Sequence, residues 1–123
     1  MKFSGMEDRL NPVPPEGVDE GTLGGYPQVH GRAPAFEASD GSAYTVAIEV
    51  DAPEWPGDPY AAYLVFVRWA DTGTAIMGHL ETGDLATGDT EAEARAALEK
   101  IPLSRAKEIL EQVIREKQHD ETS

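Results

Sequence analysis

The residues best placed to do chemistry together are His79 and Glu81, which stand two positions apart in the extended segment from Thr74 to Glu81. Because side chains alternate between the two faces of a strand, this spacing puts both on the same face. Such a pair could exchange a proton or bind a metal weakly, but a strand histidine beside a carboxylate is more often structural or exposed. We keep His79 and Glu81 as a weak candidate polar site.

No other residue pattern points to catalysis. The three histidines, at 30, 79 and 119, have no metal-ligand spacing, and the chain has no cysteine. Asp51, Glu54 and Asp58 crowd one loop without matching the spacing of a calcium-binding loop. We therefore name no catalytic, cofactor-binding or metal residue, and expect a protein that is not an enzyme and has no cofactor.

The charge limits the partners. Twenty-three acids against 10 bases give a net charge of -13, which argues against binding to nucleic acid or to an anionic membrane. No run approaches the roughly 20 apolar residues of a membrane span, and the start of the chain does not resemble an export signal, so we expect a cytoplasmic protein. The acidity serves solubility or life in high salt, fits a basic partner, or imitates a phosphate backbone.

A long apolar segment is expected to form the strand around which the other elements are arranged. Residues 60–69, YAAYLVFVRW, carry a single charge and predict the central strand of an antiparallel sheet. The alternating segment 44–50 and the segment 74–81 are its predicted neighbours, joined through the proline-rich loop 51–59 and a tight turn at Gly73. With a short piece near Phe36, these make a meander of three to four strands, followed by a loop over 82–88.

Two helices complete the predicted α+β fold. Thr90 and Glu93 have capping-box spacing and predict a first helix that ends before Pro102. Ser104 can cap a second helix. Its apolar side chains follow helical spacing: Ala106, Ile109, Leu110, Val113 and Ile114. Both helices are expected to pack on one face of the sheet.

The second sheet face is then left uncovered, although the central strand is apolar on both faces. A sheet with one covered face normally presents polar residues on the other. We therefore expect the arm, a second copy of the chain or another protein to cover it. The candidate interaction surface, which includes the aromatic residue of the acidic loop, consists of Trp55, Tyr60, Leu64, Phe66 and Trp69.

The domain organisation follows from composition. Residues 1–33 are rich in proline, glycine and acids without apolar periodicity, and are expected to form a flexible, disordered arm in which PVPP at 12–15 favours an extended conformation. Residues 34–118 form a single α+β domain, and residues 119–123 a frayed tail.

One segment is similar to a known family. GDTEAEARAALEKI, residues 88–101, follows a strand meander and resembles the strand-to-helix segment of HicB-like antitoxin domains. The resemblance implies a basic ribonuclease toxin as partner, the same direction as the acidity.

Three functions follow as hypotheses. The first is a small acidic interaction domain that binds a protein partner, or itself as a homodimer, through the uncovered sheet face. The second is an acidic inhibitor or antitoxin-like protein that mimics nucleic acid. Of the net charge, seven acids and one base fall between Tyr44 and Gly88, so the sheet half is acidic. The third is a small-ligand-binding domain or enzyme with a pocket between sheet and helices.

Overall fold

The fold is an antiparallel sheet covered on one face by helices. The computed structural model describes residues 17–122. A short helix precedes five strands and two further helices, in the order α1 (Gly25–His30), β1 (Ala35–Glu37), β2 (Ala43–Asp51), β3 (Tyr60–Trp69), β4 (Ile76–Glu81), β5 (Ala86–Gly88), α2 (Glu91–Glu99) and α3 (Leu103–Thr122). The predicted α+β architecture, with a meander followed by two C-terminal helices, is confirmed.

β3 is the central strand, as its apolar sequence predicts. The strand order is β1-β2-β3-β4, and every pairing is antiparallel. β5 pairs with the first residues of β3, through Ala62 and Ala86 among others, on the edge that β4 occupies farther along. The sequence predicts only a loop over residues 82–88, but residues 86–88 form the strand β5. Three residues are too few to show an alternating pattern.

The loops between the strands lie where the sequence has turn-forming residues. β2 and β3 pair along their whole length, from Ala43 opposite Trp69 to Asp51 opposite Ala61, across the predicted proline-rich loop. Between β3 and β4, Gly73 has a φ of 75°, a left-handed conformation that glycine adopts without strain. Its N–H donates to the carbonyl of Ala70. The register shifts between Arg68 and Trp69, which marks a β-bulge at the start of β4.

The core lies between the sheet and the helices. Leu64 and Phe66 of β3 and Leu110 of α3 are its largest fully buried side chains. The buried cluster contains Leu23, Ala38, Tyr44, Val46, Ala62, Leu64, Phe66, Ala94, Leu98, Ala106, Leu110 and Ile114. Ala94 of α2 and Ala106 of α3 are both fully buried in this cluster.

The start of α2 shows the predicted cap. The hydroxyl of Thr90 accepts a hydrogen bond from the N–H of Glu93 at 3.1 Å, which satisfies one of the unpaired donors of the first turn. Gly88 stands just before this cap, and a Cβ there would lie 2.6 Å from the Ala94 nitrogen. The helix ends at Glu99, ahead of Pro102. α3 then continues to Thr122, so it includes most of the residues 119–123 for which the sequence predicts a frayed tail.

The segment before β1 is attached to the helices. Leu23 is buried in the core, and its N–H donates to the carbonyl of Ile101 at 2.9 Å. The neighbouring N–H of Gly24 donates to the carbonyl of Glu99. Residues 17–33 thus differ from the expected flexible arm, because backbone hydrogen bonds and the buried Leu23 side chain attach them to the domain. The sequence of this segment shows no apolar periodicity that would have predicted it. Residues 1–16, with the PVPP stretch, lie outside the described residues, and the domain boundaries stay a prediction.

Among residues 17–122, no helix combines the length and apolar character needed to cross a bilayer.

Leu23→Ala tests whether the segment belongs to the folded domain. Removing this buried side chain should lower the free energy of unfolding by about 2 to 3 kcal/mol, measured by urea denaturation. Gln28→Ala, an exposed change in α1, is the matched control and should stay within about 0.5 kcal/mol of the parent protein. A Leu23→Ala protein as stable as the control would place residues 17–33 outside the cooperative unit.

Candidate functional site

Two members of the predicted interaction surface lie inside the protein. Leu64 and Phe66 have no exposed area and pack under the helices, so neither can contact a partner. This part of the prediction is wrong because it drew residues from both faces of β3. Side chains at even positions of β3 point into the core, and those at odd positions point away from it.

The three remaining residues do not come together. Tyr60 is half-buried and packs against the core. Trp55 is 69% exposed in the loop beside the first residue of β3, whereas Trp69 is the last residue of that strand. Ten strand residues separate the two ends by about 30 Å. Only Trp69 belongs to the uncovered face of the sheet.

That uncovered face is here called the open face. It consists of the side chains that the register places opposite the core. Its apolar centre comprises Ala43, Ala47, Tyr63, Val65, Val67, Trp69 and Ile76. The Trp69 indole N–H donates to the hydroxyl of Thr45 at 2.9 Å, which fixes the ring on the face. Ile76, opposite Trp69, is 63% exposed.

Carboxylates surround this apolar centre. Glu49 lies opposite Tyr63 and Glu81 lies opposite Val65, while Asp51 and Glu37 lie on the same face toward its margins. All four are exposed. No lysine or arginine of residues 17–122 occupies a strand position on the open face. The open face therefore combines apolar area with uncompensated negative charge.

The negative charge of the open face affects the pKa of Tyr63. Its hydroxyl lies 3.4 Å from a carboxylate oxygen of Asp51. Loss of hydration raises the pKa of the Tyr63 phenol above its ordinary value, and the charges of Asp51, Glu81 and Glu49 raise it further. Three carboxylates from two strands on either side of β3 thus act on one central side chain.

His79 and Glu81 do meet on the open face. The His79 Nε2 atom lies 3.5 Å from a carboxylate oxygen of Glu81, and both side chains are more than half exposed. Solvent on both groups keeps such a pair weak. Within the described residues, no three histidine, cysteine, aspartate or glutamate side chains are grouped to hold a metal ion.

A polar network that sequence reasoning missed lies at the start of β2. The buried Tyr44 donates from its hydroxyl to Asp40 at 2.7 Å. Arg68 donates from Nε to the hydroxyl of Ser42, whose own N–H donates to Asp40. Burial, and then the hydrogen bond and charge of Asp40, raise the pKa of Tyr44 to about 12.

This network borders a cavity of about 250 Å³ at the margin between sheet and α3. Its wall includes Tyr44, Arg68, His79, Ile114 and Lys117. The cavity lies between residues of the sheet and of α3, and the binding of a small ligand there stays a prediction.

The open face could have been found from β2. Its odd-numbered positions between 44 and 50 are polar or small, namely Thr45, Ala47 and Glu49, and its even positions are large and apolar. Once the hairpin register pairs Glu49 with Tyr63, the odd side of β3 must share the polar side of β2. This register cannot be derived from the sequence, because the loop between the nine-residue β2 and the ten-residue β3 is too irregular to fix how the two strands align.

Comparison with known protein families, curated proteins and solved structures found no match to this chain. The resemblance of residues 88–101 to HicB-like antitoxins thus remains a likeness of that segment.

Removing carboxylates from the open face should lower the pKa of Tyr63. The expected change for a protein carrying both Asp51→Asn and Glu49→Gln is downward, because two negative charges no longer oppose phenolate formation. The titration can be followed by NMR of ring-labelled tyrosine. Glu108→Gln, on the outer surface of α3, should leave the Tyr63 titration unchanged. A Tyr63 pKa insensitive to the double change would contradict the proposed charge environment.

Proposed function

We propose that this chain is a protein-interaction domain that binds a basic protein partner through the open face of its sheet, without catalysing a reaction. One observation carries the proposal. An apolar centre that includes Val65, Val67 and Trp69 is surrounded by exposed carboxylates, with no lysine or arginine at the strand positions of that face.

The apolar centre supplies the area of contact. Tyr63, Val65, Val67 and Trp69 are only half-buried, although they lie in the middle of the sheet. Burying such side chains stabilises a complex in proportion to the area removed from water. Contiguous exposed apolar surface on a folded protein marks interaction sites, and tyrosine and tryptophan are enriched in them.

The carboxylates supply the selection of the partner. Glu37, Glu49, Asp51 and Glu81 surround the apolar centre and attract a surface rich in lysine and arginine. Charges of this kind raise the association rate and disfavour acidic competitors, and their effect falls as salt is added. The partner that fits is therefore basic around an apolar patch of its own.

The same charges disfavour a homodimer that uses the open face. Two copies placed face to face would bring four carboxylates from each copy into one interface, with no lysine or arginine from the strands to neutralise them. Like charges placed opposite each other across an interface cost several kcal/mol. The sequence suggests the arm, a second copy or another protein as the occupant of this face. Between the last two, the charges of the open face favour another protein.

Charge reversal on the open face tests this function. The tagged protein is used to capture partners from its native extract at about 0.05 M and about 0.5 M salt, and the affinity of the retained protein is then measured with purified components. A protein carrying Glu49→Lys and Glu81→Lys should bind at least about tenfold more weakly than the parent. The parent complex should also weaken at the higher salt concentration.

The matched control carries the same change of charge elsewhere. Glu108→Lys with Asp89→Lys alters two exposed acids on α3 and just before α2, so the net charge equals that of the test variant. This control should keep near-parental affinity. A retained protein that is acidic, or one that both variants release equally, would refute binding through the open face.

A further inference from the structure

Among residues 17–122, the outward backbone groups of β4 have no hydrogen-bond partner. The N–H of Thr82 donates to the carbonyl of Leu64, and Leu80 and Gly78 continue this register opposite Phe66 and Arg68. In an antiparallel pair, the residues between such positions turn their N–H and C=O groups away from the neighbouring strand. His79 and Glu81 therefore present two donors and two acceptors on the side of β4 that faces away from β3.

The opposite edge of the sheet is protected. There, the carbonyl of Ile48 in β2 accepts a hydrogen bond from Arg95 of α2 at 3.1 Å, and the N–H of Val46 donates to Pro34. β1 itself is only three residues long. Short edge strands, proline and covering side chains are the usual means of preventing unwanted strand pairing. The β4 sequence, IMGHLE, contains neither proline nor lysine.

Exposed apolar side chains lie beside the unpaired groups. Ile76 is 63% exposed and Met77 is 59% exposed at the first two positions of β4. Between β4 and α3 runs a groove of about 410 Å³, whose wall includes Leu80 and Val113. A strand added here would direct alternate side chains toward the open face and toward this groove.

Both sides of the edge are acidic. Glu81 lies on the side of the open face. Glu116 and Asp120 of α3 line the groove on the other side, together with Lys117. An added strand with lysine or arginine at alternate positions would thus meet carboxylates on either side of the sheet, whereas an acidic strand would be repelled.

We infer that the partner docks by adding an extended basic segment to the outer edge of β4, so that its backbone continues the sheet and its neighbouring surface covers the open face. This inference rests on the proposed function, because the added strand and the open face meet at Glu81. Strand addition gives affinity through main-chain hydrogen bonds and specificity through the alternating side chains. A second copy of this chain is disfavoured at this edge, since its own β4, IMGHLE, carries Glu81 and offers no lysine or arginine to the carboxylates there.

The first experiment uses a defined probe, an acetylated and amidated heptapeptide in which lysine and valine alternate. NMR-detected hydrogen exchange is measured on the full chain with and without the peptide. The outward amides of His79 and Glu81 should become protected from exchange when the peptide binds. The amide of Leu80, which lies in the ladder to β3, should be protected in both cases and serves as the internal reference.

The second experiment removes one outward donor. Glu81→Pro and Glu81→Gln both lose the same negative charge, but only proline also loses the backbone N–H on the free edge. The peptide should bind Glu81→Pro about tenfold more weakly than Glu81→Gln, as expected for a lost hydrogen bond and a steric block. Equal affinities in two folded variants would overturn strand addition, and the exchange experiment still decides the question if Glu81→Pro fails to fold.

The remaining outcomes separate this inference from the proposed function. Peptide-induced NMR shifts at Tyr63, Val65 and Val67, with the outward β4 amides still exchanging freely, would overturn strand addition and leave docking on the open face intact. Protection of those amides without peptide, accompanied by a dimer mass in sedimentation, would make a second copy the occupant and overturn it as well. A peptide that does not bind would also overturn it, and the charge-reversal experiment would then decide on the open face alone.

Discussion

The structure depends on the pairing of β3 along both of its edges. β2 binds one edge over its full length, and β4 and β5 share the other. Because side chains alternate, this register turns Leu64 and Phe66 into the core and Val65 and Val67 outward. A slip by one residue would exchange the two sets and expose the core. The helices, the core and the open face all follow from this single alignment.

The two faces of β3 lie in different surroundings, one in the core and one at the surface. On the covered side, the buried leucine and phenylalanine side chains stabilise the fold because their apolar area is removed from water. On the other side, large apolar side chains remain beside carboxylates such as Glu49 and Glu81. Repulsion between carboxylates disfavours contact between two identical faces, while the apolar centre stays exposed to solvent.

The sequence predicts elements better than it predicts which side of them is covered. Thr90 and Glu93 indicate the α2 cap, the apolar run indicates β3, and Gly73 indicates the hairpin, because each signal is local. Leu64 and Phe66 were assigned to a surface because their burial depends on a register between strands, which is a long-range property. Residues 17–33 carry no apolar periodicity. Their attachment depends on single contacts, such as the hydrogen bond from the Leu23 N–H to the Ile101 carbonyl, and these leave no pattern in the sequence. The Tyr44 network likewise depends on side chains that meet only after folding.

The hydrogen bond from Arg95 to Ile48 has a consequence for the architecture of any assembly. Open-ended growth through strand pairing requires every unit to offer two available edges, one for the preceding unit and one for the next. In the proposed complex, the Arg95 side chain would still occupy the Ile48 carbonyl on the β2 edge, so a further strand could not pair there in the same way. A complex formed through the β4 edge alone would have a fixed composition rather than the indefinite length of a fibre.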